Sequence, residues 1–428
     1  MLNRIIYGVS SKSIDIIYSI VIGIMIINYL GPEEQGRIAF INNLSLFFSF
    51  FITLGLNSIY TIICGSNNIN IIKNRYGYYS GLRALGFLAF MIVMLVIIYT
   101  TKPDVVLIAL PILVSKFFVS LNLYQSIVDG RGKFKEYTIS QFISLVITSM
   151  IVIFCIKNNY GVIAIASTFL IKEALSFFVF YFLFDDGKYF KISFNSNKYK
   201  TIFRRSSKLM LSSIVVGLFT QIDILMIGWF ISDSSAGVYS ASTRLTTPLN
   251  FISVIFVAIF ISSLIEKYKN RKTEYYHLIS LIVSSLFSIY IVIVLFVYYF
   301  GGDFYFKIFS HQYSESLSLY YIHILGLFFI FLGGITGNHL VIIKDYDSEL
   351  KKTIYAACLN IILNFIGIYY KNLEIIAISS VVSYALANFL FFITYKDRLF
   401  FKSLIKGFNP FLATSYFIEV IFKKKTFK

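Results

Sequence analysis

Long apolar segments alternate with short polar segments along the whole chain, and this alternation predicts membrane-spanning helices. About 20 consecutive apolar residues cross a bilayer as an α-helix. The segments are apolar at odd and even positions alike, which disfavours the alternating strands, each about ten residues long, of a membrane barrel. We expect an all-α integral membrane protein with twelve spans, at residues 13–30, 38–64, 79–100, 105–128, 138–157, 160–184, 209–231, 246–265, 277–300, 317–343, 353–370 and 373–395.

One polar turn occurs twice. NYLGPEEQGRIAF at 28–40 ends the first apolar segment, and WFISDSSAGVYSA at 229–241 ends the seventh, with Gly36 and Gly237 lying 201 positions apart. Six spans separate the copies, so both copies run in the same direction through the membrane. This predicts two pseudo-symmetric six-helix lobes, at 1–184 and 209–395, related as parallel repeats like those of some transporters.

Basic residues lie almost entirely on one side of the predicted membrane. Of the 38 Lys and Arg residues, 30 lie in the termini and the even-numbered connections, six lie in the odd-numbered connections, and two lie within spans. Cytoplasmic loops carry such an excess, so both termini, a basic linker at 185–208 and a basic tail at 396–428 are predicted to be cytoplasmic. The net charge of +17 then reflects sidedness rather than nucleic-acid binding. The linker and the tail are expected to attract anionic lipids.

The composition excludes several other classes of protein. Charged residues make up 14% of the chain, against about 25% in soluble domains. No GxxxxGK[ST] segment is present, so no ATP-hydrolysing module is encoded. The four histidines and three cysteines form no catalytic grouping and no CxxC or metal-ligand pattern. A polysaccharide polymerase or acyltransferase is the enzymatic alternative, and the short periplasmic connection 301–316 disfavours it.

Three ionisable residues lie about midway along spans of the first lobe. They are Lys116 in span 4 and the neighbours Lys172 and Glu173 in span 6. Charged side chains inside the bilayer are costly and normally face a partner or a water-filled cavity. In one interpretation Glu173 pairs with a lysine and holds helices together. In the other, a lysine remains available to bind phosphate or sugar oxygens. Since consecutive helix positions point about 100° apart, Lys172 and Glu173 cannot face the same way.

Other polar residues in or near spans have two interpretations each. Asp223 in span 7 either forms a structural hydrogen bond, to backbone or to Gln221, or carries a proton or sodium ion that couples transport to a gradient. Asp15 and Arg83 lie near cytoplasmic span ends, where side chains snorkel to head groups. Asp15 also stays a candidate acid, either coupling or structural.

Three further polar residues and one aromatic lie in the second half of the chain. Arg244 opens span 8 on the periplasmic side and is a candidate for substrate binding. Asn360 and Asn364 share one face of span 11; they either line a substrate pathway or join two helices by hydrogen bonds. Trp229, at a span end, is expected in the aromatic belt of the interface.

The repeated turns also resemble a known family. NYLGPEEQGRIAFINN followed by LGLNSIYT, and TQIDILMIGWFISDSSAGVYSASTRL, resemble the openings of the two lobes of bacterial polysaccharide-unit flippases of the O-antigen type. That family belongs to a larger group with multidrug extruders and lipid II flippases. The resemblance implies a two-lobe carrier with a central lumen, in the inner membrane. It implies an undecaprenyl-diphosphate-linked glycan as cargo, with a polysaccharide polymerase and a chain-length regulator as partners.

Two transport hypotheses follow. In the first, the chain is a flippase that works by alternating access between its lobes, with basic lumen residues holding the diphosphate or acidic sugars. In the second, it is a cation-coupled drug extruder of the same architecture, for which more acids than lysines are expected in the lumen. Neither hypothesis requires a catalytic residue or a metal. The extruder is coupled to protons or sodium ions, whereas for the flippase the sequence leaves open both such coupling and exchange without any driving gradient.

Overall fold

The computed structural model describes residues 2–66, 68–185 and 188–413, with the side chains of all but residues 2–12, 208 and 212 among them. The end of the predicted tail, 414–428, therefore lies outside the described residues. The chain divides into two compact units, Met1–Ser240 and Ala241–Lys428. Every long regular element in the described ranges is a helix, so the predicted all-α class is confirmed.

The described residues of the first unit form nine α-helices. They are α1 Leu2–Phe47, α2 Phe50–Thr53, α3 Leu56–Cys64, α4 Ile69–Thr101, α5 Val106–Leu121, α6 Tyr124–Arg131, α7 Phe134–Lys157, α8 Val162–Phe180 and α9 Ser196–Phe230. Helix α10, Asp233–Thr246, crosses the boundary between the units. The second unit continues with α11 Phe251–Asn270, α12 Lys272–Ile308, α13 Ser316–Ile342, α14 Tyr346–Tyr369, α15 Leu373–Asn388 and α16 Arg398–Lys406.

Eleven helical segments of the described residues are long and apolar enough to cross a membrane. The first of them carries two of the predicted spans. Helix α1 has 46 residues, roughly 69 Å at 1.5 Å per residue, more than twice the hydrocarbon core of about 30 Å. Its backbone leaves helical geometry at Gly31, where φ is 73° and ψ is 173°, and Pro32 follows without an N–H to donate. The twelve predicted spans are therefore accounted for.

Two spans of the first unit are interrupted. The second span breaks between α2 and α3, where Leu54 and Gly55 have φ of 49° and 68°. The fourth breaks between α5 and α6, around Asn122, which ends α5 with an extended backbone. Backbone freed at such a break must find a partner within the protein, because lipid offers none.

Different sets of helices pack together in the two units. In the first unit α1 lies against α5, α7, α8 and α9, and α5 lies against α8. Phe40, Phe90 and Met94 are fully buried in its main core. In the second unit α15 packs on α13 and α14, and α16 packs on α12.

The first part of the predicted cytoplasmic tail packs on α12. The Ser284 hydroxyl donates to the Asn409 carbonyl at 2.7 Å, and the Ser288 hydroxyl donates to the Pro410 carbonyl at 2.8 Å. Phe400 and Leu404 of α16 are fully buried in the core of the second unit. This amphipathic segment covers apolar surface that α12 would otherwise expose, so residues up to 413 are part of the folded unit.

Candidate functional site

The two copies of the repeated turn pack directly against each other. A Cβ atom added at Gly36 would lie 1.7 Å from the Asp233 carbonyl oxygen, and one added at Gly237 would lie 1.9 Å from the Pro32 carbonyl oxygen. Neither position has room for any side chain. The glycines are thus required by the close approach of two backbones, and the repeat marks a contact as well as a duplicated sequence.

A network of charges surrounds this contact. The Arg37 guanidinium lies 2.9 Å from Glu34 and 2.9 Å from Glu33, within its own helix. It also lies 3.6 Å from Asp233 of the other turn and 3.8 Å from Asp104 of the connection between spans 3 and 4. One arginine therefore links three segments of the first unit, all on the side predicted to be periplasmic.

Lys102 adds a second link to the same turn. Its ammonium group donates to the Asp233 carboxylate and lies 4.7 Å from the centre of the Phe40 ring. Phe40 in turn meets the edge of Trp229, with ring centres 5.3 Å apart and planes at 78°. Trp229 is partly buried and packs on the main core of the first unit, and its position in an interfacial belt stays a prediction.

The intramembrane charges of the first lobe form one cluster among α1, α5, α7 and α8. Lys116 of α5 interacts electrostatically with Glu173 and Lys172 of α8. The Lys172 ammonium lies 5.4 Å from the centre of the Tyr18 ring of α1. Asp15 lies one turn before Tyr18 on α1. Asp15 and Glu173 both interact electrostatically with Tyr137 of α7. The two basic and two acidic side chains predicted as site residues here are thus brought together.

Lys116 is half-buried, and no carboxylate of the described residues lies within the 4 Å of an ion pair with its ammonium group. Lys172 and Glu173 diverge as expected, because Lys172 finds an aromatic face whereas Glu173 interacts with Lys116. The role of each residue stays a prediction.

Arg83 differs from its prediction. Instead of snorkelling, it is only 2% exposed. Its guanidinium donates to the Asn57 side-chain oxygen at 3.0 Å, and to the Val119 and Asn122 carbonyls at 2.6 and 3.4 Å. The two carbonyls lie at the C-terminal end of α5, so Arg83 satisfies backbone that is freed at the break between α5 and α6. Through Asn57 it also binds α3, the helix that follows the break between α2 and α3. A cation at a helix C-terminus is also favoured by the helix dipole.

The remaining candidates have structural partners. The Tyr239 hydroxyl donates to the Asp223 carboxylate at 3.0 Å, a structural bond of the expected kind with a different partner. Asn360 and Asn364 are buried, and the Asn360 amide donates to the Ser379 hydroxyl of α15 at 3.4 Å. They therefore take the helix-joining position rather than lining a pathway.

Arg244 occupies the last turn of α10 and is half-buried. Sequence reasoning missed Lys352, which it placed in a cytoplasmic connection. Lys352 is 3% exposed and forms an ion pair with Glu349 at 3.1 Å. The i, i+3 spacing of Glu349 and Lys352 was the available signal. No group of three metal-ligating side chains occurs among the described residues.

Comparison with known proteins gives one family and one fold. The sequence model of a family described as "Polysaccharide biosynthesis protein" matches residues 28–318. No match was found among curated protein sequences.

Solved structures of transporters share the fold. A lipid II flippase MurJ in an inward closed conformation aligns over 98% of this chain and 93% of its own, with a TM-score of 0.71 and 14% identity. An inward-facing multidrug resistance MATE family transporter of the MOP superfamily aligns over 94% and 96%, with a TM-score of 0.66 and 14% identity. A MOP superfamily transporter from Pyrococcus furiosus aligns over 92% and 94%, with a TM-score of 0.56 and 16% identity.

Proposed function

Since the chain belongs to the family of polysaccharide biosynthesis proteins and has a transporter fold, we propose that it is a flippase for a lipid-linked polysaccharide unit. The cargo is an undecaprenyl-diphosphate-linked oligosaccharide repeat unit, destined for O-antigen assembly. It moves from the cytoplasmic to the periplasmic leaflet of the inner membrane, in which both termini of the chain are cytoplasmic. The chain performs no chemical step on it.

The observation that carries this proposal is the half-buried Lys116. Its ammonium group has no carboxylate within 4 Å among the described residues, and it interacts electrostatically with Glu173 and Lys172. A diphosphate carries about two negative charges along the transport path, matching two ammonium groups. A charge pair at about 4 Å is worth roughly 4 kcal/mol at an effective dielectric constant of 20. Two such lysines therefore offset part of the cost of moving the diphosphate out of the head-group region.

The contact between the two turns supplies the periplasmic closure that alternating access needs. While Gly36 and Gly237 are packed together, the ion pairs of Arg37 and Lys102 with Asp233 hold that end closed. Release of cargo to the periplasmic leaflet requires these pairs to separate. The energy for separation comes from a gradient of protons or sodium ions, with Glu173, Asp15 and Asp223 as the candidate acceptors. A polymerase and a chain-length regulator then receive the unit.

The test is made in cells that lack the protein. Undecaprenyl-linked glycans are extracted and their leaflet is determined with a membrane-impermeant enzyme that modifies the sugar. Complete repeat units trapped on the cytoplasmic side, with surface polysaccharide lost, are the expected result. Single units that reach the periplasm without lengthening would identify a polymerase instead. Normal glycans with changed sensitivity to cationic drugs would identify an extruder.

Variants then test the residues. Lys116→Gln and Lys172→Gln are expected to leave units on the cytoplasmic side, since each removes one of two charges, and Lys116→Arg is expected to retain part of the activity. Lys351→Gln, which changes an exposed lysine of α14, is the matched control. Full transport by the Lys116→Gln, Lys172→Gln double variant would show that these two lysines do not bind the diphosphate during transport.

A further inference from the structure

From residue 188 onward, the connection between the two predicted lobes is hydrogen-bonded to helix α4 of the first unit. Residues 188–200, which we call the strap, lie along the end of α4 that is predicted to be cytoplasmic. The Ser193 amide donates to the Gly77 carbonyl at 2.9 Å, and the Ser80 hydroxyl donates to the Lys191 carbonyl at 2.7 Å. A Cβ added at Gly81 would lie 2.6 Å from the Ser193 carbonyl oxygen, so a groove of small residues on α4 receives the strap.

Both ends of the strap are anchored as well. Asp185, just before it, is fully buried; its carboxylate accepts from the Tyr124 hydroxyl at 2.7 Å and from the Tyr189 and Phe190 amides at 2.6 and 2.9 Å. At the other end, the strap runs into the first turn of α9, where the Tyr199 hydroxyl donates to the Ser193 carbonyl at 2.7 Å and packs against Gly81 of α4. A buried carboxylate with three donors is a specific and costly feature, which a passive tether does not need.

The outer side of the strap combines positive charge with exposed apolar groups. Phe194 is 69% exposed and Ile192 is 39% exposed. Four lysines of the strap, Lys188, Lys191, Lys198 and Lys200, are also exposed. None of the anchoring bonds uses a lysine side chain. Lysines therefore flank the exposed apolar side chains in the sequence of the strap.

We propose that the strap is a docking surface for the head groups of anionic phospholipids in the cytoplasmic leaflet. Its lysines bind the lipid phosphates, and Phe194 inserts between the head groups beside them. Charge complementarity selects this occupant, since the cytoplasmic leaflet carries the negative surface potential that attracts basic segments next to the membrane. Aromatic rings favour the same interfacial depth.

Pre-organisation strengthens this binding. A flexible linker would lose conformational freedom on meeting the membrane, whereas the strap is already held by α4, α6 and α9, so less entropy is lost. Lysines that served only to keep this connection on the cytoplasmic side would need neither the buried Asp185 anchor nor an exposed Phe194 between them. The surface goes beyond the proposed transport function and does not depend on the identity of the cargo.

The experiment measures lipid binding to the purified full-length protein. Native mass spectrometry gives the affinity for phosphatidylglycerol and for phosphatidylcholine. The test variant is K191Q/K198Q/K200Q. The control, K157Q/K307Q/K371Q, changes three exposed lysines on the side predicted to be periplasmic and removes the same charge. Since a basic residue near an anionic surface contributes about fivefold in affinity, the test variant is expected to bind phosphatidylglycerol at least about tenfold more weakly, and the control is expected to bind as wild type does.

Phe194→Ser is the second test variant. It is expected to bind phosphatidylglycerol about threefold or more weakly, because the ring that inserts between the head groups is lost. Protection of the Ser193 amide from hydrogen exchange confirms that the strap stays docked in every variant. Equal losses in test and control variants would overturn the proposal, because they would show a general charge effect. Unchanged binding in the test variant would also overturn it. Displacement of phosphatidylglycerol by a trace of polyprenyl diphosphate would assign the surface to the carrier lipid and reject a bulk phospholipid.

Discussion

Gly36 and Gly237 touch across the two copies of the repeated turn, so that a Cβ at either position would overlap a carbonyl of the opposite copy. Their separation of 201 residues is the period of the internal repeat. The contact thus lies at the local symmetry point of that repeat. Because no side chain shields it, its strength depends on backbone approach and on the surrounding ion pairs.

Gly36→Ala is expected to prevent the turns from packing, since the new methyl group would meet the Asp233 carbonyl at 1.7 Å. Ala236, which is fully buried beside the contact, is replaced by cysteine in a background without the three native cysteines. Its labelling by a membrane-impermeant maleimide is expected to accelerate at least about tenfold, the effect of a strain of 1.4 kcal/mol or more. Gly161→Ala, where nothing lies within 4 Å, is the control. Unchanged labelling in Gly36→Ala would contradict the requirement for glycine.

Asp233→Asn is expected to loosen the same contact through electrostatics, since it removes the charge that accepts a hydrogen bond from Lys102 and attracts Arg37 at 3.6 Å. A hydrogen bond to a charged group contributes about 1.5–3 kcal/mol, so labelling of the cysteine at position 236 is expected to rise about tenfold or more. Lys102→Gln should give a smaller rise, and the double variant should be less than additive. Asp303→Asn, exposed on the same predicted side, should have no effect. Additive effects would show that Lys102 and Asp233 act independently.

Arg83→Lys is expected to destabilise the first unit by about 2 kcal/mol or more, because a lysine cannot satisfy three acceptors on two elements and leaves buried carbonyls without donors. Thermal unfolding in detergent measures the loss as a fall in Tm. Arg75→Lys, at an exposed position of the same helix, is the control and is expected to unfold as wild type does. Equal Tm values for both variants would argue that the helix breaks do not depend on Arg83.

Tyr18→Leu is expected to weaken cargo transport, whereas Tyr18→Phe preserves the aromatic face below the Lys172 ammonium. Such a cation–π contact is worth about 0.5–2 kcal/mol, so the ratio of transport rates for the two variants should reach roughly threefold or more. The measurement is the rate at which repeat units reach the periplasmic leaflet. Equal rates would mean that Lys172 does not need the ring for its position.

Lys396→Gln is expected to alter the pH dependence of stability in the second unit. Lys396 at 2.7 Å and the Tyr395 hydroxyl at 2.8 Å hold the pKa of Asp345 well below its usual range. A depressed carboxyl pKa contributes stability that is present above the unfolded value, about pH 4, and is lost as the pH falls through the folded pKa. The Tm difference between wild type and Lys396→Gln should therefore be constant from pH 8 to pH 5 and should shrink below pH 4. A Tm difference that grows on acidification would contradict the conclusion that Lys396 stabilises the ionised Asp345 carboxylate.

The placement of Arg83 and Lys352 shows what the sequence could not supply. Both are charged residues at the ends of apolar segments, where the hydrophobic pattern predicts snorkelling or a cytoplasmic connection. Their burial depends on acceptors far away in the chain, Asn57 and Val119 for Arg83, and in part on Thr336 for Lys352. Nothing in the neighbouring residues of either side chain identifies those acceptors.

The sequence by itself determined the all-helical membrane class, the number of spans and the repeated turn, because the length and apolarity of each segment are local properties that a bilayer reads directly. It also marked Lys116, Lys172 and Glu173, since a charge in an apolar run is visible without any partner. Only the tertiary structure decided which side chains meet: the contact of Gly36 with the second turn, the Asp233 ion pairs, the Arg83 bonds and the docking of the strap. The physical reason is that membrane helices are apolar on every side, so their hydrophobic pattern does not encode the direction in which each face points; small residues and polar contacts between distant segments set it instead.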